Sequence, residues 1–164
     1  MSTHAAIALK MSPTCIRWIY LHCDGDLRFA GRTLANYYLT YEKVRQLILL
    51  GDLSSLHRYL EPPSGVEHSF NNRAEDVTVA YHRDNGDPMH VGLLRPQGKS
   101  EKQIINELAD QTGGFYVYLF DKEEREWLFG TTLSSLGANI EPGKFYALDK
   151  CVYWTCLNHH SLKM

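Results

Sequence analysis

The chain lacks most of the features that assign a class quickly. No apolar stretch approaches the ~18 residues of a bilayer-spanning helix, and the run from Ala5 to Leu9 falls short of the roughly 7–15-residue core of an export signal. Neither sign of charge predominates: 17 Lys/Arg stand against 19 Asp/Glu, a net charge of −2, with both signs interspersed. That balance excludes a basic nucleic-acid clamp and a polyacidic tail. Cysteine is scarce, at Cys15, Cys23, Cys151 and Cys156. A zinc reading can use Cys151, Cys156 and the neighbouring His159 and His160, but zinc sites pair their ligands as C-x₂₋₄-C, and no second pair of that kind exists. On a strand, Cys151 and Cys156 would point to opposite faces. Reduced structural thiols are the expected reading, and no metal is called for. The P-loop, G-x-G-x-x-G, H-E-x-x-H, G-x-S-x-G and paired C-x-x-C signatures are absent, which excludes the enzymes they mark and no others.

What is present is an ordinary globular composition. The 164 residues are 44% apolar and include ten Tyr, six Phe and three Trp, too many aromatics for a chain that stays solvated. A chain of this length buries roughly 70% of its unfolded surface in one core. Residues 1–14, small and polar with Pro13, read as a loose leader; residues 15–157 read as one domain and 158–164 as a tail.

Local patterns predict the elements. Cys15 to Cys23 is a strand, with Ile16, Trp18, Tyr20 and His22 on one face and Arg17, Ile19, Leu21 and Cys23 on the other. Two largely apolar faces imply a strand covered on both sides. Thr33 to Leu50 carries a helical stripe of Leu34, Tyr37, Tyr38, Tyr41, Val44 and Ile48. Thr40 divides it as the N-cap of a second helix, and Gly51 ends it. Asp52, Ser54 and Ser55 suit a tight turn, and Leu60 to Asp76 a surface excursion. Val77 to Arg83 reads as a strand, followed by a turn over Asp84 to Pro88. Ser100 with Gln103 opens a helix as a capping box, and Gly113-Gly114 closes it. Phe115 to Phe120 and Glu126 to Phe129 form a hairpin with a charged tip, and Cys151 to Leu157 is a last strand. The expected fold is α+β: an antiparallel or mixed sheet with two to three helices packed on it.

One constellation could carry chemistry. His22-x-Asp24 and His82-x-Asp84 each stand at the end of a predicted strand, where alternation puts His and Asp on one face. Were those ends neighbours, two imidazoles and two carboxylates would form a metal or acid/base centre, acting on nucleotides or phosphoesters. The competing reading makes Asp24-Gly25 and Asp84-Asn85-Gly86 plain turns, and it is the leading one. The Tyr37, Tyr38, Tyr41 stripe likewise reads first as core, and only second as a stacking surface. Basic residues are too dispersed among acids to argue for nucleic acid as the direct ligand.

The run Ile16 to Gly25 (IRWIYLHCDG), the spacing Leu34-x-x-Tyr37-Tyr38-x-Thr40-x-x-Lys43-Val44-x-x-Leu47-Ile48-x-x-Gly51-Asp52-Leu53-Ser54-Ser55-Leu56, and Val77 to Asp84 (VTVAYHRD) resemble a family of small accessory proteins of bacteriophages, prophages and other mobile elements. Phe115 to Asp121 and Trp127 to Phe129 resemble that family's C-terminal hairpin. The resemblance covers about two thirds of the chain and brings no established activity, cofactor or catalytic residue. It implies a mobile-element protein working in the cytoplasm of a bacterial host. With no evident reaction centre, the leading expectation is a protein that binds and inhibits or redirects a host protein or complex. A defence component such as a CRISPR effector is the favoured partner class, and Tyr, Trp and Arg are the anchors.

Overall fold

A computed structural model of the chain describes residues 2–137 and 139–153. Its eight strands form one mixed sheet: β1 (Ala5–Ser12), β2 (Cys15–Leu21), β3 (Leu53–Ser55), β4 (Val79–Ala80), β5 (Gly92–Leu94), β6 (Tyr116–Asp121), β7 (Glu126–Thr131) and β8 (Tyr146–Ala147). The order across the sheet is β4-β3-β2-β1-β6-β7-β8, with β5 also paired to β2. The α+β expectation holds. No helix among the described residues is long and apolar enough to cross a membrane.

The expected leader is instead the centre of the sheet. β1 runs antiparallel to β2, from Ala5 opposite Leu21 to Ser12 opposite Cys15, and parallel to β6, from Ala5 beside Tyr116 to Lys10 beside Asp121. Ala5, Ala6, Ile7, Ala8 and Leu9 are each at most 1% exposed. Ala5, Ile7 and Leu9 face one apolar cluster, together with Ile19 and Leu21 of β2. Ala6 and Ala8 face the other, together with Ile16 and Trp18. Alanine is depleted in strands, but here the small side chains let helices approach both faces of β1.

The first cluster is closed by α1 (Arg32–Tyr37) and α2 (Tyr41–Ile48), which bury Leu34, Val44, Leu47 and Ile48. A single π-helical turn, Leu27–Gly31, leads into α1, capped by the Asp26 carboxylate accepting from the Phe29 N–H. The Thr40 hydroxyl accepts from the Lys43 N–H at 3.2 Å, and Gly51 takes φ 76°, so both expected ends of the second helix are present. The β6–β7 hairpin is also as expected, its tip held by the Asp121 carboxylate accepting from the Glu123 and Glu124 N–H groups.

Three other expectations change. Asp52 to Ser55 is no simple turn: the chain continues into β3, parallel to β2 and antiparallel to β4. Of the strand predicted from Val77 to Arg83 only Val79–Ala80 is one, with an isolated bridge at Val77, and the chain then winds into α3 (Tyr81–Asn85), which Gly86 closes in the left-handed region at φ 75°. Residues 148–153 are helical, so no strand begins at Cys151; the remainder of that predicted strand, Cys156 and the 158–164 tail lie outside the described residues. Among the described cysteines, Cys15 and Cys23 are half-exposed and Cys151 is buried, where desolvation pushes its thiol up to about 11. The second apolar cluster is closed by α4 (Glu101–Thr112), with a full Ser100/Gln103 capping box and Gly113 at φ 65°, as expected.

The free edge of β2 is shared. β5 pairs with Ile16 to Trp18, and β3 takes over at Leu21. At the join the Tyr20 N–H donates to Asp52 Oδ1 at 2.9 Å, so a carboxylate replaces the missing strand. The same carboxylate lies 3.0 Å from His90 Nδ1, just before β5. Gly92 lies flat against the Trp18 indole, and a Cβ there would collide with the ring. Gly92→Ala is therefore expected to lower stability by about 1–3 kcal/mol, as for overpacking elsewhere. Denaturant titration should show a lower midpoint at unchanged slope.

Candidate functional site

The two His-x-Asp pairs do not come together. His22 follows β2 and His82 lies on α3 beyond β4, with β3 between β2 and β4, so the two pairs leave the sheet in opposite directions. His22 belongs to a ring cluster at the start of the sheet. Its Nδ1 lies 2.6 Å from the Tyr20 hydroxyl and its Nε2 3.2 Å from Ser2 Oγ, and its ring packs 4.9 Å from that of His4. Asp24 is exposed at φ 55°, in the irregular link between β2 and the π-helical turn. Its carboxylate favours the charged form of His57.

His82 and Asp84 are parted by α3. Residues two apart on a helix do not face each other, so the shared face assumed for a strand is lost. His82 is exposed, and its Nδ1–H donates to the Asp87 carbonyl at 2.7 Å. Asp84 turns inward, its side chain 4% exposed. It accepts from the Ala80 N–H at 2.8 Å and from Arg83 Nε and Nη2 at 2.9 and 3.0 Å, with His68 Nε2 at 3.2 Å. Among the described residues no group of three His, Cys, Asp or Glu is placed to hold a metal ion.

The partner of Asp84 is therefore His68, which carries no signal in the sequence. The Ala74 N–H donates to His68 Nδ1 at 2.9 Å, which leaves the ring proton on Nε2, pointing at Asp84. With both nitrogens engaged, this imidazole has no free position for proton transfer to a substrate. Arg83 also donates to the carbonyls of Leu60 and Thr78, at 2.6 and 2.7 Å. The network pins the 60–76 excursion to the sheet edge. Burial alone would raise the Asp84 carboxyl, but the Arg83 guanidinium, the Ala80 N–H and His68 together bring it below the ordinary carboxylate value.

A different surface is exposed and chemically distinctive. Of the tyrosine stripe, only Tyr38 is core: it is fully buried, and its hydroxyl donates to the His57 carbonyl at 2.7 Å. Desolvation pushes that phenol up to about 12. Tyr41 is half-buried, and Tyr37 is 39% exposed beside Leu39 at 64% and near Tyr59 at 46%. Arg58 joins the two outer rings, its guanidinium carbon 4.8 Å from the Tyr37 ring centre and 5.1 Å from that of Tyr59. Beneath it Lys43 donates to the carbonyls of Tyr37 and Arg58, at 2.7 and 3.1 Å, and lies over the Tyr38 ring. Burial, and then the charge of Arg58, lowers the Lys43 ammonium from its usual value. His57, next to Arg58, has its backbone held by Thr78 and Tyr38 and its Nδ1 3.9 Å from Asp76. Burial lowers that imidazole despite Asp76 and Asp24, which favour its charged form.

No protein-family model, curated protein or solved structure matches the chain. A functional reading therefore rests on the chemistry of these surfaces. Arg58 and Tyr59 had no sequence signal, because they follow β3 in an irregular stretch and meet Tyr37 only through the fold. Lys43 lies four residues before Leu47 on α2, and its inward turn toward two carbonyls is equally a tertiary outcome.

Proposed function

We propose that the protein is an accessory factor of a mobile genetic element that binds a host protein or protein complex and inhibits or redirects it by occluding a surface. A component of bacterial defence, such as a CRISPR effector, is the partner class this reading favours, and the bacterial cytoplasm is where it would act. The observation that carries the reading is the exposed Tyr37–Arg58–Tyr59 stack with Leu39 at its border. Tyr and Arg are the residues over-represented among interface anchors, and an aromatic pair held in place by a cation loses little side-chain entropy on docking. The alternative of an acid/base or metal centre built from His22, Asp24, His82 and Asp84 has no shared site to support it, since Asp84 is committed to Arg83 and His68.

Affinity purification of the tagged chain from bacterial host cells, followed by mass spectrometry, tests the reading. The wild-type protein is expected to retain a host protein at near-stoichiometric yield. The Tyr37→Ala/Tyr59→Ala variant should bind it about a hundredfold more weakly or worse, since two anchors each contribute more than about 1.4 kcal/mol. Failure to enrich any host protein over an unrelated phage protein, or equal recovery by the folded double variant, would sink the proposal.

A further inference from the structure

Arg58 differs from the arginines that the fold has already paired. Arg28, Arg45 and Arg83 each meet a carboxylate, at Asp26, Glu42 and Asp84. No ion pair joins the Arg58 guanidinium to a carboxylate among the described residues. Asp76 comes near but accepts from the Arg58 backbone N–H, at 3.4 Å. Among the described residues Arg58 hydrogen-bonds through its backbone N–H and C=O and not through its guanidinium, whose N–H fork matches a carboxylate. The neighbouring cation cannot serve in its place, because Lys43 is turned inward onto two carbonyls.

We propose that Arg58 receives a carboxylate side chain from an acidic segment of the protein partner, with Tyr37, Leu39 and Tyr59 forming the apolar collar that excludes water around the pair. The inference rests on the docking reading above and names the chemistry of what docks. Charge complementarity carries it: Arg58 and Lys43 give the patch two cations without an ion-paired carboxylate among the described residues, only Arg58 has its head group clear of the carbonyls, and an ion pair shielded by an apolar collar is weakened less by solvent. A nucleic acid fits less well. Binding a phosphate backbone takes a row of cations, whereas Arg45 is tied to Glu42 and the whole chain carries −2.

The test selects random displayed peptides on the full-length protein. Selected peptides are expected to carry Asp or Glu beside aromatic or aliphatic residues. Changing that acid to Asn or Gln, or Arg58 to Lys in the protein, should weaken binding about tenfold or more. Selected peptides without an acid, whose binding is still abolished in Tyr37→Ala/Tyr59→Ala, would overturn the carboxylate inference and leave the docking reading standing. Peptides indifferent to that double variant would overturn both. A single-stranded oligonucleotide that binds more tightly than the peptides, and loses binding in the same variant, would also overturn the inference by making phosphate the ligand.

Discussion

Deleting residues 2–12 is expected to abolish folding rather than trim a dispensable end. The deletion removes β1, the strand that joins β2 to β6, and both of its ladders go with it. Ile7 and Leu9 are exposed by 1% or less, and each contributes about 1.5–3 kcal/mol through its apolar surface. The alanines add the contacts on which α2 and α4 rest. The gap left in the sheet costs more than the lost side chains. β2 and β6 would each face it with a row of buried backbone N–H and C=O groups, at about 1–3 kcal/mol for each left unpaired. A handful of those exceeds the whole stability of a domain, about 5–15 kcal/mol. The truncated chain should show neither a cooperative thermal transition nor dispersed amide resonances. A truncated protein that melts cooperatively near the wild-type temperature would show that residues 2–12 do not occupy the sheet centre.

That expectation runs against the local pattern of the same residues, and the reason is physical. α4 and α2 are legible because their signals are local: a hydroxyl at the N-cap, a glycine at the left-handed position, an apolar stripe between. The β6–β7 hairpin is legible for the same reason. β1 carries no such signal, since three of its first four residues are alanine and its strand character comes from the neighbours on either side. Val77 to Arg83 misleads in the opposite direction. Only Val79–Ala80 is a strand; the Tyr81 N–H bonds the Asp52 carbonyl, the sheet edge ends there, and the chain coils. His82 and Asp84 lose their shared face for that reason, because residues two apart share a face on a strand and not on a helix, while β3 stands between that pair and His22 with Asp24. Arg58 and His68 meet their partners across distances of 21 and 16 residues, to Tyr37 and Asp84, inside stretches with no period to read.

Replacing Asp84 by Ala is expected to cost about 3 kcal/mol, the low end for removing one partner of a buried ion pair. The low end applies because Arg83 keeps 24% of its side chain exposed and retains Glu61 at 3.8 Å. The loss is still large for one residue, since the Ala80 N–H, the Arg83 fork and the His68 Nε2–H all lose their acceptor together. The pH dependence separates this from a simple packing defect. The Asp84 carboxyl is lowered in the folded protein: burial would raise it, and Arg83 with the Ala80 N–H outweighs that. A lowered group contributes stability that is full above its unfolded value, about 3.9, and is lost as pH falls through the folded value. The stability gap between wild type and Asp84→Ala should therefore narrow as pH falls below about 4. The loss should also be local: limited proteolysis at neutral pH is expected to cut Asp84→Ala first within residues 60–76, the segment that Arg83 and His68 hold to the sheet. A gap that stays constant down to about pH 2, or first cuts elsewhere, would show that Asp84 acts through its volume and not through its charge.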